Sequence, residues 1–304
     1  MSQFEIRPVD SGSRRGPLFA MVQETVSTLL VTWLKQAIAS ANFVTVPAMG
    51  LSAPQGAGKT TIMNEVCSAL AEDGLNAVSL SIDDFYLTRP EQVALAAKYQ
   101  SNPYLQQRGY PGTHDLNLGA NVLKALRMLP VGRSMKIPGY DRFANNGQGD
   151  RLPESNWCVV TGPLHLIVLE GWMLGFTPIA DELLYDEHFL VINEKIAAYE
   201  AWHSLLDGFI WLEPDDPLFV REWRVEAEER SRADGKTGMS PQRVKAFVEM
   251  FLPAYATYIP GLRARAPTKQ PHLHVIIGRD RAPINIFHNW HADARSTVPT
   301  KNSN

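Results

Sequence analysis

The residue types best suited to chemistry in this chain form one glycine-rich run, APQGAGKT, which spans Ala53 to Thr60. The run matches the phosphate-binding pattern G-x-x-x-x-G-K-[ST], except that Ala53 replaces the first glycine. Glycines allow backbone N–H groups to approach phosphate oxygens, and a helix that begins here adds the positive end of its dipole. The lysine supplies charge to the β- and γ-phosphates, and the threonine hydroxyl is a ligand for Mg²⁺. We therefore predict that ATP and Mg²⁺ bind here, with nucleotide contacts from Gly56, Ala57, Gly58, Lys59, Thr60 and Thr61.

Ala53 is the one departure from this pattern. Alanine fits the turn only if its φ is negative, because an L side chain disfavours the left-handed region. The surroundings of the run support the motif. An apolar stretch at residues 43–51 predicts a strand before it, and the apolar pattern of residues 60–72 predicts a helix after it. A chance glycine-rich turn is the alternative interpretation.

Two carboxylate motifs follow predicted strands. Asp83 and Asp84 come at the end of the strand predicted at residues 76–82, and Glu170 directly follows the strand predicted at 164–169. Ligands of α/β proteins bind at the carboxyl ends of parallel strands. Transfer of a phosphoryl group to a hydroxyl needs an acceptor for the hydroxyl proton and a ligand for the metal. Both motifs are therefore candidates for the reaction centre.

These requirements assign roles to individual side chains. We expect catalysis from the Asp83-Asp84 pair, Lys59 and Glu170, and metal ligation from Thr60 and Glu170. One carboxylate of the pair would accept the proton and the other would contact the acceptor, and the motif alone leaves open which does which. The structural alternatives are an Asp pair that caps a helix and an edge carboxylate that pairs with a lysine.

Strands alternate with helices along much of the chain. Besides the three strands above, apolar runs predict strands at residues 208–212 and 272–277, and helical spacing predicts helices at 18–41 and 117–129. This alternation favours an α/β fold in which a mostly parallel sheet carries helices on both faces.

The composition is that of an ordinary globular protein. Hydrophobic residues make up 45% of the 304 residues and charged residues 20%, and we predict one domain over residues 1–290 with a disordered tail at 291–304. The net charge of −3 gives no reason to expect a nucleic-acid partner. No apolar run reaches the length of a membrane span, and two cysteines are too few for a disulfide framework. We expect a cytoplasmic protein that acts on a small molecule, and the oligomeric state is left open.

The motifs resemble those of known enzymes. Asp83-Asp84-Phe85-Tyr86 after the phosphate-loop helix, and Glu170-Gly171 after a strand, resemble the uridine kinase, phosphoribulokinase and pantothenate kinase group of P-loop kinases. A closer resemblance is to the P-loop D-glycerate 3-kinases. It covers roughly residues 50–178 and is carried by the stretches APQGAGKTT, SIDDFYLT, RGYPGTHDL, KIPGYDRFANNGQGDR and LEGWMLGF. The resemblance implies a P-loop kinase fold, Asp83 as the catalytic base, and phosphorylation of D-glycerate to 3-phosphoglycerate with ATP and Mg²⁺.

Two polar loops are candidates for the acceptor site. They span residues 108–115 and 136–151, inside a loop-rich segment at 101–163 that we interpret as an acceptor-site insertion. An acceptor with a carboxylate needs a cation, and the available cations are Arg108, Lys136, Arg142 and Arg151. The expected substrate contacts are Asp84, Tyr86, Arg108, His114, Tyr140 and Arg142. Asp115 is expected to be the N-cap of the following helix rather than a substrate clamp.

The charged helical segment at residues 217–240 is interpreted as a lid. In the kinases that the chain resembles, a lid closes over ATP and offers arginines to the phosphates, and Arg224 and Arg230 are the candidates here. The i,i+4 spacing of Arg224 with Glu228, and of Glu226 with Arg230, is also typical of a helix that is simply solvated. We expect one or two of these arginines to reach phosphate.

Two other classes of protein compete with a kinase. A regulatory GTPase usually carries N-K-x-D and D-x-x-G motifs, and neither occurs in the chain. An ATP-binding protein without metabolite kinase activity is compatible with the composition, although the polar insertion argues for a substrate pocket. Among kinases, nucleoside, pantothenate and sugar acceptors are the alternatives to D-glycerate.

Overall fold

The computed structural model describes residues 25–40, 43–233, 241–269 and 271–288. In these ranges the strands are β1 (Ala48–Ser52), β2 (Ala77–Ser81), β3 (Ser134–Ile137), β4 (Tyr140–Asp141), β5 (Asp150–Arg151), β6 (Cys158–Thr161), β7 (Leu166–Gly171), β8 (Gly208–Pro214), β9 (His272–Ile277) and β10 (Pro283–His288). The helices are α1 (Val26–Ser40), α2 (Lys59–Glu72), α3 (Arg89–Lys98), α4 (Leu116–Arg127), α5 (Ala144–Gly147), α6 (Phe189–Ala197), α7 (Glu200–His203), α8 (Phe219–Ala233) and α9 (Pro241–Ala264).

A six-stranded sheet with the order β10-β9-β8-β1-β7-β2 forms the centre of the molecule. Its strands pair in parallel, except that β10 runs antiparallel to β9. Every residue of β1, β7 and β8 is buried, as expected for strands that are covered on both faces. The predicted α/β fold with a mostly parallel sheet is confirmed.

Alternate residues of the strands face two separate cores. On β1, Met49 and Leu51 belong to the core that includes Leu30 of α1 and Val66 of α2. Ala48 belongs to the opposite core, to which α4, α6, α7 and α9 contribute. Helices thus cover both faces of the sheet, and the carboxyl ends of β1, β2 and β7 meet at one edge.

Several element boundaries differ from the predictions. β1 begins at Ala48 instead of residue 43, and β7 continues through Gly171 instead of ending before Glu170. Of the helix predicted at residues 18–41, α1 accounts for Val26–Ser40, and the residues before 25 lie outside the described ranges. The tail predicted at 291–304 also lies outside them.

The segment at residues 101–163 contains more regular structure than the sequence predicts. Besides α4, it holds two small antiparallel sheets, β3 with β6 and β4 with β5. These strands are two to four residues long, so hydrophobic alternation does not reveal them. The edge strand β10 is mostly exposed and was missed because it lacks the same signal.

Within the described ranges, none of the helices combines the length and the apolar character needed to cross a bilayer.

The buried His203 is expected to make the stability of the fold depend on pH. His203 at the end of α7 is 4% exposed, and its Nε2 accepts a hydrogen bond of 3.0 Å from the Gly175 N–H. Burial lowers the pKa of His203 from 6.5 to about 4. Between these two values the unfolded chain binds more protons than the folded one, so stability is lost as the pH falls from about 6.5 towards 4, by at most about 1.4 kcal/mol per pH unit.

The variant His203→Gln keeps a neutral acceptor at this position and removes the titration. We expect its free energy of unfolding, measured by urea denaturation across this pH range, to decline less steeply than that of the wild type. A slope equal to that of the wild type would contradict the assignment.

Candidate active site

The phosphate loop lies between the end of β1 and the start of α2. Gly58 precedes α2 with φ +87° and ψ +20°, a left-handed conformation that glycine adopts without strain. Ala53 is buried and has no positive φ, so alanine meets the condition that the turn sets for it. The Lys59 ammonium donates to the carbonyls of Ala53 and Pro54 at 3.0 and 3.2 Å. The carbonyls of the loop itself therefore hold the lysine ammonium against the loop.

Gly56 is the point at which α8 meets the phosphate loop. Its φ is +78°, and a Cβ atom at this position would lie 2.7 Å from the carbonyl carbon of Trp223 and 2.8 Å from the backbone nitrogen of Arg224. Trp223 is itself fully buried. The first turns of α8 therefore pack directly on the loop, and only glycine fits between them.

The N-terminus of α2 is suited to an anion. Gly58 provides no side-chain cap, and Thr60 and Thr61 are exposed on the first turn of the helix. The first N–H groups of a helix have no partner within the helix and point outward along its axis. The predicted nucleotide residues from Gly56 to Thr61 thus lie on the loop and on the first turn of α2.

Glu170 lies at the centre of the sheet edge. In the parallel register it is opposite Leu51 of β1 and Ser81 of β2. The side chain is 4% exposed, and its Oε2 atom has no hydrogen-bond partner. Burial raises the pKa of Glu170 to about 7, against the lowering effect of Lys59. A buried carboxylate oxygen without a partner, beside the phosphate loop, is chemically suited to a cation.

Thr60 and Glu170 fit a Mg²⁺ site in which the protein provides only one or two of the ligands. No group of three or more His, Cys, Asp or Glu residues suited to a metal occurs in the described ranges. Mg²⁺ in phosphoryl-transfer sites is typically held by one or two protein oxygens, with phosphates and water completing its shell. Thr60 and Glu170 would be those protein ligands here.

Asp83 and Asp84 lie on a 3-10 turn, Ile82–Phe85, that follows β2 directly. Ser81 holds the start of this turn, because its side-chain oxygen accepts from the Asp83 N–H at 3.3 Å. Asp84 is partly buried and accepts backbone hydrogen bonds from Tyr140 and Ser81. Burial and then the neighbouring Asp83 raise the pKa of Asp84 to about 6. Its carboxylate is therefore engaged in holding the loop around Tyr140.

Asp83 is placed differently from its neighbour. It is exposed at the site, and the hydroxyl of the buried Tyr86 hydrogen-bonds to its carboxylate. Burial and the Asp83 charge raise the pKa of Tyr86 well above its ordinary value, so this hydroxyl stays protonated and donates. Asp83 thus presents an exposed carboxylate that accepts from Tyr86, whereas the Asp84 carboxylate is held by backbone N–H groups.

The loop at residues 108–115 lies beside this turn. The Leu87 N–H donates to Thr113 O at 2.9 Å, and the Asp115 N–H donates to Phe85 O at 2.7 Å. The Asp115 carboxylate accepts from the Leu118 N–H at 3.0 Å, which is the predicted N-cap of α4. Backbone pairing thus brings the loop at residues 108–115 to the Ile82–Phe85 turn.

His114 is buried inside this contact. Its ring stacks on Tyr86 with 4.4 Å between centroids, and its Nδ1 lies 2.6 Å from the Tyr199 hydroxyl. Burial lowers the pKa of His114 to about 3, so the ring is neutral. Its Nε2 has no partner. The sequence predicted His114 at the site, but nothing in the sequence pointed to Tyr199, which lies 85 residues further along the chain.

Arg108 and Arg142 differ in what their guanidinium groups contact. Arg108 donates to the carbonyls of Gly147 and Arg142 at 2.8 and 3.2 Å, and it lies over the Tyr140 ring at 5.7 Å. Arg142 is exposed, and among the described residues nothing hydrogen-bonds to its guanidinium. Its charge acts on both Asp84 and Arg224. Arg108 therefore holds the second loop, and Arg142 is left to face the site.

Lys136 and Arg151, the other two candidate cations for the acceptor, already bind other groups of the protein. Lys136 donates to Glu154 O at 3.1 Å on the exposed side of β3. Arg151 donates to Tyr86 O at 2.9 Å and pairs with Asp115 at 3.3 Å. Both contacts fix the loops of the insertion in place.

The two lid arginines have different surroundings. Arg224 is largely buried, pairs with Glu228, and interacts electrostatically with Asp83. Arg230 is 65% exposed and lies 3.5 Å from Glu226, the i,i+4 pair of a solvated helix. The structure brings Arg224 to the site and leaves Arg230 outside it. The lid at residues 217–240 stays a prediction, since 234–240 lie outside the described ranges.

Comparison with known proteins gives a consistent result, although no family model matches the chain. The chain is 39% identical over 243 residues to the chloroplastic D-glycerate 3-kinase of Arabidopsis thaliana, covering 78% of this chain and 53% of that protein. It is 33% identical over 248 residues to the uncharacterized kinase mug58 of Schizosaccharomyces pombe, covering 78% and 89%. A solved D-glycerate 3-kinase from Cryptococcus neoformans superposes with a TM-score of 0.78 at 26% identity, covering 87% of this chain and 99% of that one. The matched region thus spans about half of the Arabidopsis protein and nearly all of the Cryptococcus one.

The fold and the phosphate loop with its neighbouring carboxylates define the class of the protein, which is a P-loop kinase. Within that class the relatives identify the group. The chain belongs to the P-loop D-glycerate 3-kinase family.

Proposed function

We propose that the protein phosphorylates D-glycerate at its primary hydroxyl, using ATP and Mg²⁺, to give 3-phosphoglycerate. The observation that carries this proposal is the likeness to two proteins named D-glycerate 3-kinase, one of which is matched over 99% of its length. The site supports it, because the phosphate loop, a proton acceptor and an available arginine come together at one edge of the sheet.

The side chains would divide the reaction as follows. Lys59 and the N–H groups at the start of α2 would bind the phosphates, and Thr60 and Glu170 would hold the metal, which would supply positive charge to offset that of the phosphates. Asp83 accepts the proton of the substrate hydroxyl while the oxygen of that hydroxyl forms a bond to the γ-phosphorus. The bond from that phosphorus to the bridging oxygen breaks, and ADP leaves with the electron pair.

An acceptor panel tests the proposal. We expect D-glycerate to stimulate ADP release strongly, with L-glycerate, uridine and pantothenate giving little. Ion-exchange chromatography with mass detection would distinguish 3-phosphoglycerate from 2-phosphoglycerate. If another member of the panel is phosphorylated instead and no 3-phosphoglycerate appears, the acceptor is wrong while the kinase class stands. If no acceptor stimulates ADP release, the protein is a nucleotide-binding protein without this activity.

Arg142 is proposed to bind the carboxylate of the acceptor. Replacing it by glutamine removes a charged donor from a site that Arg108 keeps in place. We expect the KM for D-glycerate to rise about 10- to 100-fold, the range of one charge-assisted hydrogen bond, while the KM for ATP changes less than about twofold. Steady-state kinetics with each substrate varied in turn would measure this.

Arg133→Gln is the matched control for this variant. Arg133 is an exposed arginine of the same insertion, in the turn before β3 and outside the proposed contacts. It should leave both KM values unchanged. An Arg142→Gln enzyme with an unaltered KM for D-glycerate would remove Arg142 from the acceptor site.

A further inference from the structure

The turn between β9 and β10 carries an arginine in an unusual backbone conformation. Arg281 has a φ of +66°, in the left-handed region that glycine and asparagine occupy readily and other residues rarely. The turn itself is tight, since the Arg281 N–H donates to Gly278 O and the Gly278 N–H to Ala282 O, both at 2.9 Å. Glycine is the usual residue at a left-handed position of a hairpin turn. Residues with a strained backbone of this kind occur mainly at functional sites.

The Arg281 side chain reaches the phosphate loop. Its Nε and Nη2 atoms donate to the carbonyl oxygen of Gly56 at 3.2 and 3.1 Å. A Cβ atom on Gly58 would lie 3.9 Å from the Arg281 Cδ, so the side chain runs along the outer surface of the loop. Both contacts join residues that are more than 220 positions apart in the chain.

The same guanidinium also contacts α8. Its Nη2 pairs with the Glu226 carboxylate at 2.7 Å, and its carbon atom lies 5.2 Å from the centroid of the Trp223 ring. Trp223 in turn donates through its indole N–H to Arg279 O at 2.7 Å. One side chain thus joins the β9–β10 turn, the phosphate loop and the first turns of α8.

These contacts act on the turn of the phosphate loop. A trans peptide is planar, so holding the Gly56 carbonyl also fixes the N–H of Ala57, which donates to Pro54 O at 3.3 Å and closes the turn. Glycine has the freest backbone of all residues, so the packing of α8 on Gly56 and the hydrogen bonds from Arg281 together restrict the loop at this point. The two parallel donors of a guanidinium hold a carbonyl in one orientation, which a single ammonium does not.

We propose that Arg281 is a positioning residue for nucleotide binding, which holds the phosphate loop in its phosphate-binding conformation and ties it to α8. It acts through Gly56 and does not itself transfer a group. The role concerns the nucleotide and is independent of which acceptor the enzyme uses.

Calorimetric titration of MgATP and MgADP into the full chain, without acceptor, tests the proposal. We expect Arg281→Lys and Arg281→Gly each to raise the Kd for MgATP at least about tenfold, as expected for loss of charge-assisted contacts. Arg279→Ala is the matched control. Arg279 sits in the same turn and pairs with Glu222 of the same helix at 2.5 Å, yet its side chain contacts no part of the phosphate loop among the described residues. It should change the Kd less than about twofold.

Thermal unfolding separates positioning from general destabilisation. Glycine suits the positive φ at this position, so Arg281→Gly should melt within a few degrees of the wild type while binding nucleotide poorly. In the kinetic assay the KM for ATP should rise and the KM for the acceptor should not. Wild-type Kd values in Arg281→Lys, which keeps the charge, would overturn the proposal. So would an equal loss of binding in Arg279→Ala.

Discussion

Replacing Asp83 by asparagine is expected to lower kcat by about 100- to 10,000-fold, the usual contribution of a general base. Asparagine keeps the shape of the side chain and removes its ability to take a proton. The Kd for MgATP should change less than about threefold, because Asp83 lies on the turn after β2 and is not part of the phosphate loop. Single-turnover kinetics at saturating MgATP would measure the chemical step.

Two neighbouring variants give this prediction its controls. Asp84→Asn should affect mainly the KM for the acceptor and the stability, since Asp84 accepts from the backbone of Tyr140 and Ser81. Tyr86→Phe should reduce kcat less than Asp83→Asn does, because it removes only the hydroxyl that orients the base. A loss below about threefold in Asp83→Asn, together with a large loss in Asp84→Asn, would exchange the two roles.

Replacing Lys59 by alanine is expected to remove most activity, by about 100- to 1,000-fold in kcat/KM for ATP, the range seen when one preorganised donor to a developing charge is deleted. The charge of Lys59 acts on the buried Glu170, and within the described residues its ammonium donates to the carbonyls of Ala53 and Pro54. The fold should survive, because no core packing is lost.

Lys35→Ala is the control for the Lys59 variant. Lys35 pairs with Asp73 on the outside of α1 and α2 at 2.6 Å, and both side chains are substantially exposed. It should leave kcat/KM unchanged, and circular dichroism should report the same helix content for both variants. Turnover of Lys59→Ala near the wild-type rate would mean that the phosphate-loop interpretation is wrong.

Short motifs and hydrophobic periodicity predicted much of this molecule. The phosphate loop, the Asp83-Asp84 turn and Glu170 were identified because each is a local run in which residue type and position relative to a strand carry the signal. The order of strands and helices was readable for the same reason, and it sufficed for the fold class. Elements with little buried surface, such as β10, gave no such signal.

By itself, then, the sequence determined the class of fold, the phosphate loop and the two carboxylate motifs. Each of these depends on signals that lie in short local segments of the chain. The tertiary structure decided which side chains are available and which are already engaged. Arg108 and Arg142 look equivalent as cations in polar loops. The packed loops show that two carbonyls hold Arg108, whereas the part of the chain that the structure describes offers Arg142 no such contact. Arg281 contacts Gly56 from 225 residues away. No local pattern encodes that contact, because the order and register of the strands decide which distant turns meet.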